Sequence, residues 1–340
     1  MDFHYSTYRI HLRHPFTISR SSTDFYDIVF IFLTRNGITG VGEAVPSDRY
    51  HEPFERFMEV LKELTLGRVD EPDTLDGMLD LLLPKCRGVK ALEAAFDVAA
   101  HDLWGKIEGI PLCSRFGGRP QNTPLTSFTI GIDRIDLIRQ KVEEAAPFPI
   151  LKVKLGSDRD EKIIETVRMS TDKLIRVDAN EGWSLDEAQR MCDWLSTKNV
   201  EFVEQPLPAG KLDETSILKE GSPLKIIADE NCLDSRDIPI IADAFHGVNI
   251  KLMKCGGLRE ASRMIEIARE MNLEVMLGCM VETSIATTAA AHLSPLVDYA
   301  DLDGNLLIEN DPYEGVNVEE GKLLLPSIPG LGVELRRTVT

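Results

Sequence analysis

Charged residues of two kinds recur in this chain at the ends of short apolar runs. Ile150-Leu151-Lys152-Val153-Lys154 is one run and Leu174-Ile175-Arg176-Val177-Asp178 is the next. Runs ending at Glu204, Asp229 and Lys251 follow, so that Lys154, Asp178, Glu204, Asp229 and Lys251 stand 24, 26, 25 and 22 residues apart. Asp178, Glu204 and Asp229 offer hard oxygen ligands of the kind that suit Mg²⁺, which keeps positions open for water or substrate. Any one of these acids alone is more readily read as a helix cap or as the partner of a Lys or Arg. Three at matching positions on successive strands reverse that preference, because like charges so close repel unless a cation lies between them.

Lys152 and Lys154 are two residues apart, so on a strand both side chains leave from one face while Leu151 and Val153 fill the other. Lys251 ends a later run, across the rim. Ammonium groups on two sides of a metal-bound group are an acid/base pair able to address both faces of one carbon. A lysine acts as a base only when neutral, and both Lys152 and the metal disfavour charge on Lys154. The metal would serve as a Lewis acid toward the negative charge that develops when a proton leaves beside a carboxylate.

The interval between these charges fits a strand of about five residues, a helix of about eleven and two short loops. Strands are expected at 125–130, 150–154, 174–178, 200–204, 225–229, 248–251, 273–278 and 299–303. Helices are expected between them at 135–146, 161–169, 184–195, 213–219, 238–245, 258–271 and 284–292. The sum is a (β/α)7β TIM-like barrel, with each charge at the C-terminal end of its strand, where such barrels carry their chemistry. Residues 1–120 lack this rhythm. Strands at 3–12 and 27–33, joined through 13–23, precede Asn36-Gly37, a hairpin signal leading into 38–43. Helical patterns follow at 53–64, 75–83 and 90–105. This first unit is α+β, residues 121–315 form the barrel, and residues 316–340 are expected to return to the first unit.

A formal net charge of −18 disfavours nucleic acid and anionic membrane as partners. The six cysteines form no C-x-x-C pair, and no N-terminal segment has the order of a signal peptide. The apolar runs are too short to span a bilayer. A cytoplasmic setting with buried thiols is expected.

Five motifs in order, Lys152-Val153-Lys154, Val177-Asp178-Ala179-Asn180, Val203-Glu204-Gln205-Pro206, Ala228-Asp229-Glu230-Asn231 and the stretch from Asn249 to Gly257, resemble the enolase superfamily, muconate-lactonising subgroup. The resemblance spans nearly the whole chain. It implies one Mg²⁺ per subunit on Asp178, Glu204 and Asp229, acid/base lysines at Lys154 and Lys251, and Lys152 as the auxiliary cation. Asn180 and Glu230 fall where the family has groups supporting the metal, and Lys254 is read as outside the inner ring. It also implies that the first unit is a capping domain over the barrel mouth, that the reaction is proton abstraction beside a carboxylate through an ene-diolate, and that the chain is a homo-oligomer.

Asp301-Leu302-Asp303 on the eighth strand narrows the reaction. Carboxylates at i and i+2 share a face, and a cationic substrate group suits them. The pair resembles the Asp-x-Asp of dipeptide epimerases, which holds the free α-ammonium of a dipeptide. The substrate implied is a dipeptide inverted at its C-terminal residue, with L-Ala-D/L-Glu the first choice and peptidoglycan-peptide recycling its natural setting. Cys279, Met280 and Val281 resemble the seventh-strand segment that meets substrate; Cys279 is expected to pack or touch substrate, not to act as a nucleophile. Phe16 and Arg20 lie in the capping segment 13–23, and Arg20 is a candidate partner for a side-chain carboxylate. A cycloisomerase, an o-succinylbenzoate synthase or an N-acylamino acid racemase would share the metal and lysines but needs no acid pair facing an ammonium. A non-catalytic barrel would need no lysines on both faces.

Overall fold

The computed structural model describes residues 1–64 and 72–336; the last four residues of the C-terminal segment, 337–340, lie outside it. Three antiparallel strands open the chain in the order β1 (Asp2–Ile18), β2 (Ser21–Arg35) and β3 (Ile38–Ala44). Asn36 and Gly37 take φ of 52° and 78°, the mirror-image turn that matches strand twist. Segment 13–23, expected as a joining segment, instead carries the pairing on. After a bulge between His11 and Phe16, residues Phe16, Thr17 and Ile18 pair with Thr23, Ser22 and Ser21. Their aromatic and β-branched side chains favour an extended ribbon over an irregular loop.

Helices α1 (Phe54–Glu63), α2 (Leu75–Leu82) and α3 (Lys90–Glu108) complete the first unit. The sheet lies directly on α3, because Gly40 and Gly42 of β3 present no side chain. A Cβ on Gly42 would stand 1.9 Å from the Ala95 carbonyl oxygen. A short helix, α4 (Leu112–Arg115), leads toward the barrel.

Eight parallel strands then pair in chain order: β4 (Phe128–Ile130), β5 (Ile150–Lys154), β6 (Leu174–Asp178), β7 (Val200–Glu204), β8 (Lys225–Ala228), β9 (Gly247–Ile250), β10 (Glu274–Gly278) and β11 (Tyr299–Asp301). The ring is brought together by a parallel bridge between Thr126 and Ala300, with Ser127 N–H donating to the Ala300 carbonyl at 3.2 Å. Helices α5 (Ile135–Glu144), α6 (Asp160–Ser170), α7 (Leu185–Ser196), α8 (Leu212–Gly221), α9 (Ile238–Ile241), α10 (Leu252–Cys255), α11 (Leu258–Glu270) and α12 (Ser284–Ala291) surround it. The fold is a (β/α)7β barrel with an α+β cap, as expected. The one-turn α10, directly after β9, is an element beyond the alternation.

Carboxylates from the cap close the N-termini of barrel helices, where unpaired N–H groups and the helix dipole favour negative charge. Asp97 on α3 accepts from Leu258 N–H at 2.6 Å, and Glu43 on β3 accepts from the Thr283 N–H at 2.9 Å and hydroxyl at 2.6 Å. Gly257 (φ 119°) permits the first contact, since a Cβ there would stand 2.4 Å from that of Asp97. Further along, Leu112 N–H donates to Gly330 O at 3.0 Å and Leu331 N–H to Asp102 at 2.8 Å. No helix among the described residues is long and apolar enough to cross a membrane.

Candidate active site

Strands β6 and β7 end on Asp178 and Glu204, and Asp229 follows β8 by one residue. All three are buried, and one carboxylate oxygen from each lies within 4.8 Å of the others. Parallel strands in register deliver them side by side: Asp178 pairs with Glu204, and Glu204 with Ile227. Their charges are held unequally. Burial works against the Asp178 carboxylate, but Lys154 and Lys152 outweigh it and keep its pKa below the usual carboxylate range. Asp229 is likewise driven well down, by Lys251 and Lys254 against the cost of burial. Glu204 goes the other way, to about 7, because burial is reinforced by the charges of Asp178 and Asp229.

The donor set fits a hard divalent ion. Three buried oxygen ligands converge, and Glu204 Oε2 is without a hydrogen-bond partner among the described residues. It lies 2.6 Å from Lys152 Nζ, a charge contact lacking hydrogen-bond direction. Asn249 Nδ2 fixes the other oxygen, Glu204 Oε1, at 2.7 Å.

Lys154 Nζ donates to Asp178 Oδ2 at 2.6 Å and Lys251 Nζ to Asp229 Oδ2 at 2.7 Å. Their strands, β5 and the end of β9, are four apart in a ring of eight, so the two lysines rise from opposite walls with the acids between them. Lys152 Nζ reaches Asp301 Oδ2 (2.7 Å) and Asp178 Oδ2 (3.2 Å) as well as Glu204. Burial works against its charge, but Asp301, Glu204 and Asp178 outweigh it and raise its pKa well above the ordinary value. Lys251 is raised against the cost of burial by Asp229 and Glu204. Lys254, read as outside the inner ring, makes direct contact with it: Nζ is 2.5 Å from Asp229 Oδ1 and 2.7 Å from the Asp229 carbonyl. Sequence spacing carried the signal, since α10 begins directly after Lys251 and positions i and i+3 of a helical turn share a side.

A cavity of about 790 Å³ covers this floor, and Lys152, Lys154, Asp229, Lys251, Asp301 and Asp303 all line it. Asp301 accepts from the Ser127 hydroxyl at 2.6 Å besides Lys152, and its pKa is held down by Lys152 and Lys154 against burial. Asp303 accepts from Thr129 N–H at 2.6 Å, and burial beside charged Asp301 pushes it up to about 7. Cys279, Met280 and Val281 also line the cavity. The Cys279 thiol donates to Asp301 O at 3.2 Å and is pushed far up by burial and then by Glu282, Asp303 and Asp301, which suits packing and not nucleophilic attack.

The capping ribbon brings Phe16 and Arg20 to the same cavity. The Phe16 ring lies 5.9 Å from Lys154 Nζ. Arg20 Nη2 donates to Glu230 at 2.7 Å and Nη1 to the Asn180 carbonyl at 2.9 Å, so both expected supporting residues meet it. Sequence reading did not anticipate Arg49, Tyr50 and Glu181. Arg49 grips Glu181 with Nε and Nη2, each at 2.8 Å, across 132 residues of chain, a separation that leaves no local pattern to read.

A capped barrel with three acids on neighbouring strand ends, between lysines on facing walls, has the layout of an enolase-type acid/base enzyme. Residues 134–339 match the family described as enolase C-terminal domain-like, and residues 5–117 match the mandelate racemase / muconate lactonizing enzyme N-terminal domain; the chain belongs to this family. An L-Ala-D/L-Glu epimerase of Bacteroides thetaiotaomicron is 44% identical over 331 residues, covering 96% of this chain and 86% of the relative. An L-Ala-D/L-amino acid epimerase of a Maribacter species is 38% identical, covering 97% and 98%. Among solved structures, a dipeptide epimerase from Methylococcus capsulatus, complexed with Mg and the dipeptide L-Arg-D-Lys, superposes with a TM-score of 0.91 at 32% identity, covering 98% of each chain.

Proposed function

We propose that this chain is a Mg²⁺-dependent dipeptide epimerase that inverts the α-carbon of a dipeptide's C-terminal residue, with L-Ala-D/L-Glu the first substrate to test. The observation that carries this reading is the placement of Lys154 and Lys251 on opposite walls of the barrel, with Asp178, Glu204 and Asp229 between them. Asp178, Glu204 and Asp229 would hold the ion, which when bound supplies Lewis acidity toward the substrate carboxylate. One lysine takes the α-proton and the other returns a proton to the opposite face. Lys152, ringed by Asp301, Glu204 and Asp178, stays charged and adds positive potential beside the reacting carboxylate. Asn180 and Glu230 support this floor through Arg20.

Asp301 and Asp303 take the substrate's free α-ammonium. A cation arriving there favours the charged form of Asp303, whose pKa now stands at about 7. Phe16, Cys279, Met280 and Val281 form the walls around the dipeptide, and a substrate side-chain carboxylate that pairs with Arg20 would share its guanidinium with Glu230, 2.7 Å from Nη2. The cap excludes water and so strengthens the charges beneath it. A cytoplasmic homo-oligomer engaged in recycling peptidoglycan peptides is the setting this activity fits.

The test is a library of dipeptides and N-acylated amino acids incubated with the protein and Mg²⁺ in D₂O and read by mass. Gain of one deuterium at the C-terminal α-position, lost on chelation, is the expected result. Exchange confined to N-acylated amino acids would give the reaction to a racemase of blocked amines instead. No exchange in any acid would leave a binding barrel.

A further inference from the structure

Two segments of the cap line the cavity over the acids and lysines: the ribbon tip with Phe16, Ile18 and Arg20, and the turn with Asp48, Arg49 and Tyr50. Both meet the barrel at the dipeptide Asn180-Glu181 just after β6; the ribbon is also held by Glu230, 2.7 Å from Arg20 Nη2, and by Ile132 N–H, which donates to Thr17 O at 2.9 Å, whereas the Arg49 turn reaches Glu181. Ser19 Oγ and Arg20 Nη1 each donate to the Asn180 carbonyl at 2.9 Å, and Arg20 Nη1 is 3.4 Å from Glu181 Oε2. Arg49 holds both Glu181 oxygens at 2.8 Å, a paired contact with fixed orientation as well as energy. Ala209 N–H, from the loop after β7, donates to Glu181 Oε1 at 2.9 Å.

The backbone of this dipeptide is itself unusual. Asn180 and Glu181 take φ of 45° and 67°, left-handed values in two successive residues that are not glycine. Such conformations persist only where the surroundings hold them. Here Asn180 N–H donates to Asp178 Oδ1 at 2.9 Å and Glu181 N–H to Gln205 O at 2.8 Å. Behind it Gly182 meets Gly156 so closely that a Cβ would lie 2.4 Å from the Gly156 Cα. With the backbone held in this way, the Glu181 carboxylate meets Arg49 and Arg20 of the cap.

We propose that Glu181 is a positioning residue for substrate selection: it anchors the ribbon tip and the Arg49 turn together and so fixes the wall that meets the dipeptide. This rests on the dipeptide-epimerase reading for its substrate but not for its geometry. Glu181 touches none of the three acids or the two facing lysines in any contact described, so its loss acts on fit and leaves proton transfer in place. It also neutralises Arg49 at the cavity wall, and Arg20 in part, so that neither guanidinium stands as an uncompensated charge there.

The test compares wild type with Glu181→Gln, Arg49→Gln and the double variant, using Mg²⁺ and the dipeptide that wild type exchanges fastest in D₂O. Glu181→Gln is expected to raise KM about tenfold or more, the effect of losing one charge-assisted pair, with kcat within about threefold. Arg49→Gln should do the same, and the double variant should be no worse than either single one, as for two halves of one contact. Hydrogen–deuterium exchange of the backbone in residues 13–26 and 45–54 should speed up in all three variants. Unchanged KM with unchanged backbone exchange, an effect on kcat alone, or additive losses would each overturn the proposal. If wild type exchanges no dipeptide, the functional reading fails, and the backbone measurement alone then decides the role of Glu181.

Discussion

Removing one lysine at a time should split the reaction by stereochemistry. Lys154 and Lys251 stand on strands four apart in the ring of eight, so on the proposed mechanism each would face one side of a carbon held above Asp178, Glu204 and Asp229. In Lys154→Ala the remaining lysine can take a proton only from the epimer whose C–H faces it, and can return deuterium only to that face. That epimer should wash in deuterium with retention, the other should not exchange, and inversion should vanish in both directions. Lys251→Ala should give the mirror result. General acid/base groups contribute roughly 10²- to 10⁴-fold, about 3–5 kcal/mol of barrier, and the silenced epimer should slow by that amount. The surviving exchange should weaken less. Asp178 keeps Lys152 at 3.2 Å when Lys154 is lost, and Asp229 keeps Lys254 at 2.5 Å when Lys251 is lost. Proton NMR of the α-hydrogen of each epimer in D₂O, with chiral separation of products, reads all four cases. If both variants lose exchange from both epimers while Mg²⁺ binding is intact, or if either still inverts, the two-wall mechanism is wrong.

Asp301→Asn and Asp303→Asn should each raise KM for free-amine dipeptides by roughly tenfold or more, as expected when one partner of a charge-assisted bond is neutralised, while Mg²⁺ affinity measured by calorimetry holds; unchanged turnover in both removes the ammonium site. His292 is buried, Nε2 donates to Leu331 O at 2.9 Å, and burial pushes its pKa from 6.5 to about 4. The unfolded chain binds the extra proton between those values, so stability is lost as pH falls through that window, by up to about 3 kcal/mol. The gap in Tm between wild type and His292→Gln should therefore narrow from pH 7 to pH 4.5, and a constant gap would refute the shift. Gly42→Ala should cost about 3 kcal/mol by denaturant titration, because its Cβ would meet the Ala95 carbonyl at 1.9 Å and drive β3 off α3; an unchanged midpoint would mean that the contact yields easily.

What could be read from the sequence, and what could not, follows from how far each contact reaches along the chain. Strands β5, β6 and β7 were legible to the residue, because a parallel strand covered on both faces reads as an unbroken apolar run, and here a charge marks its end. Register then places Asp178 beside Glu204 without further information. The ribbon at 13–23 was missed because Pro15 and the Ser-Arg-Ser-Ser stretch at 19–22 break the strand pattern, and what extends it is pairing around a bulge. Arg49 with Glu181, Asp97 with Leu258 and Glu43 with Thr283 join residues 132, 161 and 240 positions apart, so no local period announces them.

Asp301 and Asp303 lie between these cases. Period-two geometry expected both on one face of the eighth strand, but β11 ends at Asp301 and Asp303 opens the turn that follows; both line the cavity all the same, and the pattern could not tell them apart. Only the fold shows that Asp301 has Lys152 and Ser127 as partners while Asp303 is met by the neutral donors of Thr129. The first is a carboxylate already balanced by charge; the second is pushed up to about 7 by burial beside the first. An ammonium entering the cavity therefore meets in Asp303 an acid that Lys152 does not bond, and its gain there is reduced by the cost of charging that buried group. It follows that Asp303→Asn should weaken free-amine dipeptides mainly by removing their partner, whereas Asp301→Asn should also loosen Lys152 and lower kcat. A kcat effect of Asp303→Asn equal to that of Asp301→Asn would show that the two acids are not divided in this way.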